Sequence, residues 1–330
     1  MFDLIRQMVN LYGATGREHG VADAVEALVK PHVDSVTRDA MGNLICEKKG
    51  SAKTGKRVML SAHMDHIGFI VVAVEAEGFL RVMPVGGIGL NVSKTRHVSF
   101  ENGVQGVIAQ EPTREGETPA MKHMFIDIGA ENREEALGMV QVGDVAIYSN
   151  DCFKLGEHRV AAPAMDDRVA CALLIAVMQA LPKCEATVVA VFSVQEEVGC
   201  RGAKTAAYAV EPDIGIALDV TANGDTPETK LPAVKLGEGV AVKIMDRGSI
   251  SCPEVVEELL AAGKRADVLT QREVLPFGGT DASAIQLTRG GVKVGTLSIP
   301  CRYVHSACEV VDLRDVEAAK ALLIDYLKHA

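Results

Sequence analysis

The segment TVVAVFSVQEEVGC, residues Thr187 to Cys200, is apolar until it ends in two adjacent acids, Glu196 and Glu197. An apolar, β-branched run of this length predicts a strand buried on both faces, and such strands carry ligand and catalytic groups at their carboxyl ends. KRVMLSAHMDHIG turns polar at His63 in the same way, and DIGIALDV does so at Asp219. AMDDR puts Asp166 and Asp167 at the start of a helix that is apolar almost all round, and His305 stands in a loop near the end of the chain. His63, Asp166, Glu197, Asp219 and His305 thus gather at strand ends or beside a helix start. A buried carboxylate cluster is costly without a neutralising positive charge, and no lysine or arginine is placed to pair with all three acids. A metal ion supplies that charge.

Two histidines with three carboxylates suit a borderline divalent ion, Zn²⁺ or Co²⁺, better than Ca²⁺ or Mg²⁺, which prefer oxygen alone. The set exceeds one tetrahedral site. If one carboxylate bridges, it serves two ions about 3.5–4 Å apart, a hydrolytic arrangement. Asp166 is the bridging candidate, and Glu196, beside a ligand but not needed as one, is left free. Asp65 lies two residues from His63, on the same face of an extended chain, where it can orient the imidazole. Met64 and His66 face the other way, His66 being a candidate for touching substrate. Asp167 is expected to cap the helix or to pair with Arg168. Cys301 reads as a packed thiol, since no motif places a histidine base beside it.

The elements that must position these residues are legible in coarse form. Two amphipathic helices open the chain, the second marked by Thr15 and Glu18 at capping-box spacing, and a hairpin is expected around AMGN. Between Gly68 and Val160 the texture changes to short alternating segments broken by Asn-Gly and Gly-Gly, which predicts a β-rich insert, a small barrel. Helices and strands alternate again from Ala161. The expected division is an α/β domain, residues 1–67 and 161–330, interrupted by an insert over 68–160. The catalytic residues come wholly from the α/β part, which leaves the insert no chemical task and points to self-association. TANGDTPETKLP is the best candidate for a mobile loop.

The totals bound what the protein does. Its 330 residues favour two domains over one. With 34 basic against 44 acidic residues, net charge −10 and no basic tract, nucleic acid is an unsuitable partner. No apolar run is long enough to span a membrane. Eight cysteines are scattered without CxxC spacing, and no signal peptide is evident, so reduced thiols and a cytoplasmic location are expected.

The motifs SAHMDHIG, AMDDR, QEEVGCRGA, ALDV and GGTDASAIQLTRGG with SIPCRYVHS, in this order along essentially the whole chain, resemble the tetrahedral aminopeptidases. These are cytosolic metallopeptidases related to glutamyl aminopeptidase and sometimes labelled cellulases. The resemblance implies an α/β fold: a zinc-peptidase-like α/β/α catalytic domain with an inserted PDZ-like β-barrel that mediates dimerisation, dimers assembling into a dodecamer. It implies that His63 and Asp219 bind one metal and Glu197 and His305 the other, with Asp166 bridging, Asp65 orienting His63 and Glu196 as general base. It also implies a cis peptide between Asp166 and Asp167. Where relatives often carry an acid, this chain has His66. The expected reaction is removal of N-terminal residues from peptides with two divalent ions per subunit. The alternatives are a metal-dependent deacylase of amino-acid derivatives and a glycoside hydrolase, which leaves the histidines unused and needs two carboxylates flanking a sugar.

Overall fold

The apolar runs of the α/β segments form an eleven-stranded sheet, seen in a computed structural model that describes residues 1–229 and 234–330. Its centre is four parallel strands in the spatial order Thr187–Ser193, Arg57–His63, Ile214–Ala222 and Lys293–Arg302. They are buried on both faces, which explains runs without polar alternation. Val58, Leu60 and Ala62 point into the main core, whereas Met59 points into the core on the opposite face. The main core is closed by helices that include Phe2–Val9, His19–Val29, Met165–Ala180 and Leu313–His329; the opposite face is covered by Arg201–Val210 and Ala282–Ile285. This is the expected three-layer α/β/α arrangement.

The hairpin around AMGN is present, Ser35–Arg38 pairing with Leu44–Lys48. Its turn is held by Asp39 Oδ1, which accepts hydrogen bonds from the amides of Met41, Gly42 and Asn43.

The alternating segment closes into an antiparallel six-stranded barrel that starts with Gly68–Val74 and ends with Val145–Tyr148. Closure leaves no free edge, and the inward residues, among them Phe69, Leu80, Val98, Ile108 and Ile126, make a separate core. Phe153–Leu155 and Arg159–Ala162 hydrogen-bond into the large sheet.

The capping-box expectation at Thr15 is overturned. The second helix begins at His19, and neither Thr15 nor Glu18 caps it through a side chain. Thr15 Oγ1 donates instead to Asp65 Oδ2 at 2.8 Å, while Glu18 Oε1 accepts from the amides of Gly16 and Gln195 at 2.8 and 3.1 Å. A helix start offers this hydroxyl only N–H donors, whereas the buried, ionised Asp65 carboxylate is a strong acceptor for its proton, so the tertiary contact wins over the local motif. The segment expected to be mobile lies partly outside the described residues, at 230–232. Within its described part, Asp225 is clamped by Arg302 through two 2.8 Å hydrogen bonds.

Candidate metal centre

All four central strands end on one edge of the sheet, and the sequence-predicted residues meet there. His63 closes its strand, Glu196 and Glu197 follow Ser193, Asp219 lies opposite Ser298 near the end of its strand, and His305 sits just past Arg302. Asp166 enters from the start of the long buried helix, where it and Asp167 have non-helical backbone angles and the peptide between them is cis. Asp166 Oδ1 is 3.1 Å from His63 Nε2, and Asp166 Oδ2 is 3.1 Å from His305 Nε2, which in turn stands 3.2 Å from Glu197 Oε2. One carboxylate therefore faces two imidazoles with different oxygens.

Both imidazoles are turned the same way by carbonyl groups. His63 Nδ1 donates to the main-chain oxygen of Asp65 at 2.9 Å, and His305 Nδ1 donates to that of Gly87 at 2.7 Å. A carbonyl can only accept, so each Nδ1 carries hydrogen and each Nε2 is presented to the acids as a ligand atom. Three groups of donors are close enough to hold an ion: His63, Asp167 and Asp219 on one side, Asp166, Glu197 and His305 on the other, and Glu196 with Cys200 and Asp281 beside them.

The charge balance fits cations. Burial pushes the carboxyls of Asp219, Asp167 and Glu196 well above their usual range and raises Glu197 as well. Burial alone would favour neutral imidazoles, yet Asp166 and its neighbours outweigh it, raising His63 well above its usual value and His305 to about 12. Left to itself, the cluster is neutralised by protons on the two rings, and a divalent ion replaces those protons. Asp167 Oδ1 and Glu197 Oε1 are buried without a hydrogen-bond partner, as oxygens reserved for a cation would be. Lys243 reaches the same cleft, but its ammonium, 3.9 Å from Glu273, makes no ion pair with these acids among the described residues. The cleft measures about 750 Å³ and extends from the acids past Thr221, Leu275, Phe277 and Tyr303.

The family model for the M42 glutamyl aminopeptidases matches residues 42–322. The chain belongs to this family. It is an aminopeptidase, a hydrolase of peptide bonds in a metal-dependent family. A putative aminopeptidase of Acetivibrio thermocellus is 43% identical over 326 residues, covering 98% of each chain. The aminopeptidase APDkam598 of the archaeon Desulfurococcus kamchatkensis superposes with a TM-score of 0.95 at 38% identity, over 100% of this chain and 94% of that one. The TET1 peptidase of Pyrococcus horikoshii, which can assemble into a tetrahedron or a large octahedral shell, gives 0.89 at 31% identity over 99% of both.

Several residues of this M42 peptidase act differently from their sequence-based expectation. Asp167 neither caps the helix nor pairs with Arg168: its Oδ2 accepts the main-chain N–H of His63 at 3.2 Å and the carboxylate belongs to the donor set. Arg168, fully buried, spends its guanidinium on the carbonyls of Met8, Leu11, Gly13 and Met64. The Asp65 carboxylate stands 3.6 Å from His63 Nδ1, too far for a hydrogen bond, because the carbonyl of the same residue takes the proton. Its oxygens instead accept the amides of Glu196 at 2.9 Å and Glu197 at 3.2 Å, tying the two motifs together. His66 is buried, its pKa lowered to about 3 by burial and by Arg168, and it does not line the cleft. Cys301 is a buried thiol pushed well up by burial, as expected.

Two participants went unnoticed in the sequence. Glu309 accepts from the amides of His305 at 2.7 Å and Asp166 at 2.9 Å, and burial pushes its carboxyl up to about 8. Asp281, within GGTDAS, accepts from Ser61 and Ser193 at 2.6 and 2.5 Å, stitching two central strands together beneath Glu196. Glu309 stands in no motif; the pattern around Asp281 was visible but carried no assigned role.

Proposed function

We propose that this protein is a co-catalytic dinuclear metallo-aminopeptidase that removes N-terminal residues from peptides, with Zn²⁺ or Co²⁺ as its two ions. In this reading His63 and Asp219 hold one ion, Glu197 and His305 the other, and Asp166 lies between them. The observation that carries it is the Asp166 carboxylate, each oxygen 3.1 Å from a different imidazole. Asp167 stands close enough to join the His63 side. Bound there, divalent ions supply Lewis-acid polarisation of the scissile carbonyl and acidify a water.

Glu196 is the general base. Its Oε1 accepts from the Cys200 thiol at 3.1 Å, and its Oε2 stands 3.9 Å from His63 Nε2; it groups with Cys200 and Asp281 and belongs to neither the His63 nor the His305 group. Burial raises its proton affinity, which suits a carboxylate that accepts a proton from the attacking water and delivers it to the leaving amine nitrogen. The cleft beyond the acids accommodates the first side chain of the peptide. The barrel serves self-association, the TET1 peptidase of P. horikoshii supporting a large closed assembly, a dodecamer built from dimers, for this chain too. All eight cysteines are free, in keeping with a cytoplasmic protein.

The decisive experiment compares Glu196→Gln with Glu197→Gln. Both remove one charge from neighbouring positions. The first is expected to keep its metal and lose about 10²–10⁴-fold in turnover; the second is expected to lose metal. Full occupancy with near-normal turnover in both variants refutes the mechanism.

A further inference from the structure

The barrel reaches the metal centre. Between its second strand, Leu80–Val85, and the short helix Leu90–Ser93, the chain runs through Gly86 and Gly87 past Glu197 and His305. A Cβ on Gly87 would lie 3.1 Å from His305 Nδ1 and 3.3 Å from Cε1, and one on Gly86 would lie 3.1 Å from Glu197 Oε2. The carbonyl of Gly87 is the acceptor that turns Nε2 of His305 towards Asp166 and Glu197. We infer that the inserted barrel is a working part of the metal centre, Gly87 being a positioning residue that holds His305 in its ligand tautomer and orientation. The inference rests on the reading of His305 as a metal ligand.

His305 is gripped from two sides. Its main chain, in the left-handed region at φ 62°, is fixed by Glu309 of the α/β domain, which accepts its amide. Its ring faces Asp166 and Glu197 through Nε2, and on the Nδ1 side its hydrogen bond, among the described residues, goes to the barrel. The loop is itself anchored in the barrel: Ser93 Oγ donates to the Gly89 carbonyl at 2.8 Å and lies 3.0 Å from the Tyr148 hydroxyl, whose ring packs edge-on against Phe69 in the barrel core. Outer hydrogen bonds of this kind set a histidine ligand's basicity and angle, and their loss costs about 10–100-fold in metal affinity or activity. Glycine is required at 87 by the approach of the ring, while the absence of a positive φ there makes alanine a clean probe of that approach.

The test uses the full-length, metal-loaded protein. Gly87→Ala is titrated with a chelator while bound metal is followed by elemental analysis, alongside Gly138→Ala, in the insert's helix Arg133–Met139, where an added Cβ meets nothing within 4 Å. Gly87→Ala is expected to release one of its two ions at about 10–100-fold lower chelator concentration, retain the other, and keep the wild-type particle size by light scattering; Gly138→Ala is expected to follow the wild type throughout. Ser93→Ala, which adds no atom but frees the loop from its anchor, is expected to weaken the same ion to a smaller degree, and it decides the matter if Gly87→Ala does not fold. Wild-type retention of both ions in the folded glycine variant, or in Ser93→Ala where only that variant folds, overturns the inference. A wild-type protein that binds no metal refutes the functional reading itself, a separable result.

Discussion

Asp65→Asn tests whether one buried carboxylate binds the two motifs of the site together. Asp65 has no solvent exposure, and although burial favours its neutral form, His63 keeps the carboxyl below its usual range. It accepts three hydrogen bonds, from the amides of Glu196 and Glu197 and from the Thr15 hydroxyl. Asparagine offers one oxygen where there were two, so whichever way the amide is turned, its nitrogen faces a main-chain N–H, donor against donor. A lost charge-assisted bond is worth about 1.5–3 kcal/mol and a buried donor left unpaired about 1–3 kcal/mol. The expected destabilisation is therefore about 2.5–6 kcal/mol, a large part of the about 5–15 kcal/mol typical of folded proteins. Urea unfolding of the chelated protein measures it without the contribution of bound ions. In the reloaded enzyme the loosened Glu196 and Glu197 are expected to cost about 10–100-fold in turnover. An unfolding midpoint and a turnover both equal to the wild type would falsify the argument.

Dialysis against a strong chelator is expected to abolish peptidase activity and added Zn²⁺ or Co²⁺ to restore it; full activity in protein shown to be metal-free by elemental analysis rules the mechanism out. Replacing the barrel, residues 68–148, by a short linker is expected to give a monomeric or poorly soluble protein, and light scattering that still shows the native oligomer counts against a role in assembly. His66, held to about 3 by burial and Arg168, refuses a proton that the unfolded chain takes up near 6.5. Its contribution to stability is thus complete above about pH 6.5 and is lost as pH falls below that value, at no more than about 1.4 kcal/mol per pH unit. Denaturant midpoints of the chelated protein at pH 7.5 and 5.5 are expected to differ less in His66→Asn than in the wild type, and equal differences refute the assignment.

The donor set was legible because each member sits where an apolar run turns polar, at His63, Glu197 and Asp219, or where an apolar helix opens on acids, at Asp166. The barrel was legible from its change of period. What escaped notice is the layer behind the donors. Gly87 acts through a carbonyl that every residue type possesses, and Glu309 through acceptance of two amides, so neither leaves a side-chain pattern in the sequence. Thr15 and Glu18 did form a pattern, the wrong one. Their spacing matches a helix cap, but Asp65 and Gln195, distant along the chain, compete for the same groups and win. Asp167 was misjudged for a related reason: beside an arginine it invites a local ion pair, whereas Arg168 is drawn away to four carbonyls.

The donors run through the chain from His63 to His305, and the anchors behind them are just as dispersed. Synthesis proceeds from the N-terminus at about 5–20 residues per second, so the carbonyls of Met8, Leu11 and Gly13 emerge well before Arg168 exists to bind them. Asp166 is made with only one of its two imidazoles available. His305 is the last donor to appear, and Glu309, which fixes its main chain, comes later still. A growing chain therefore carries no complete donor set, and the proposed metal centre can be assembled only when synthesis of the chain is nearly done.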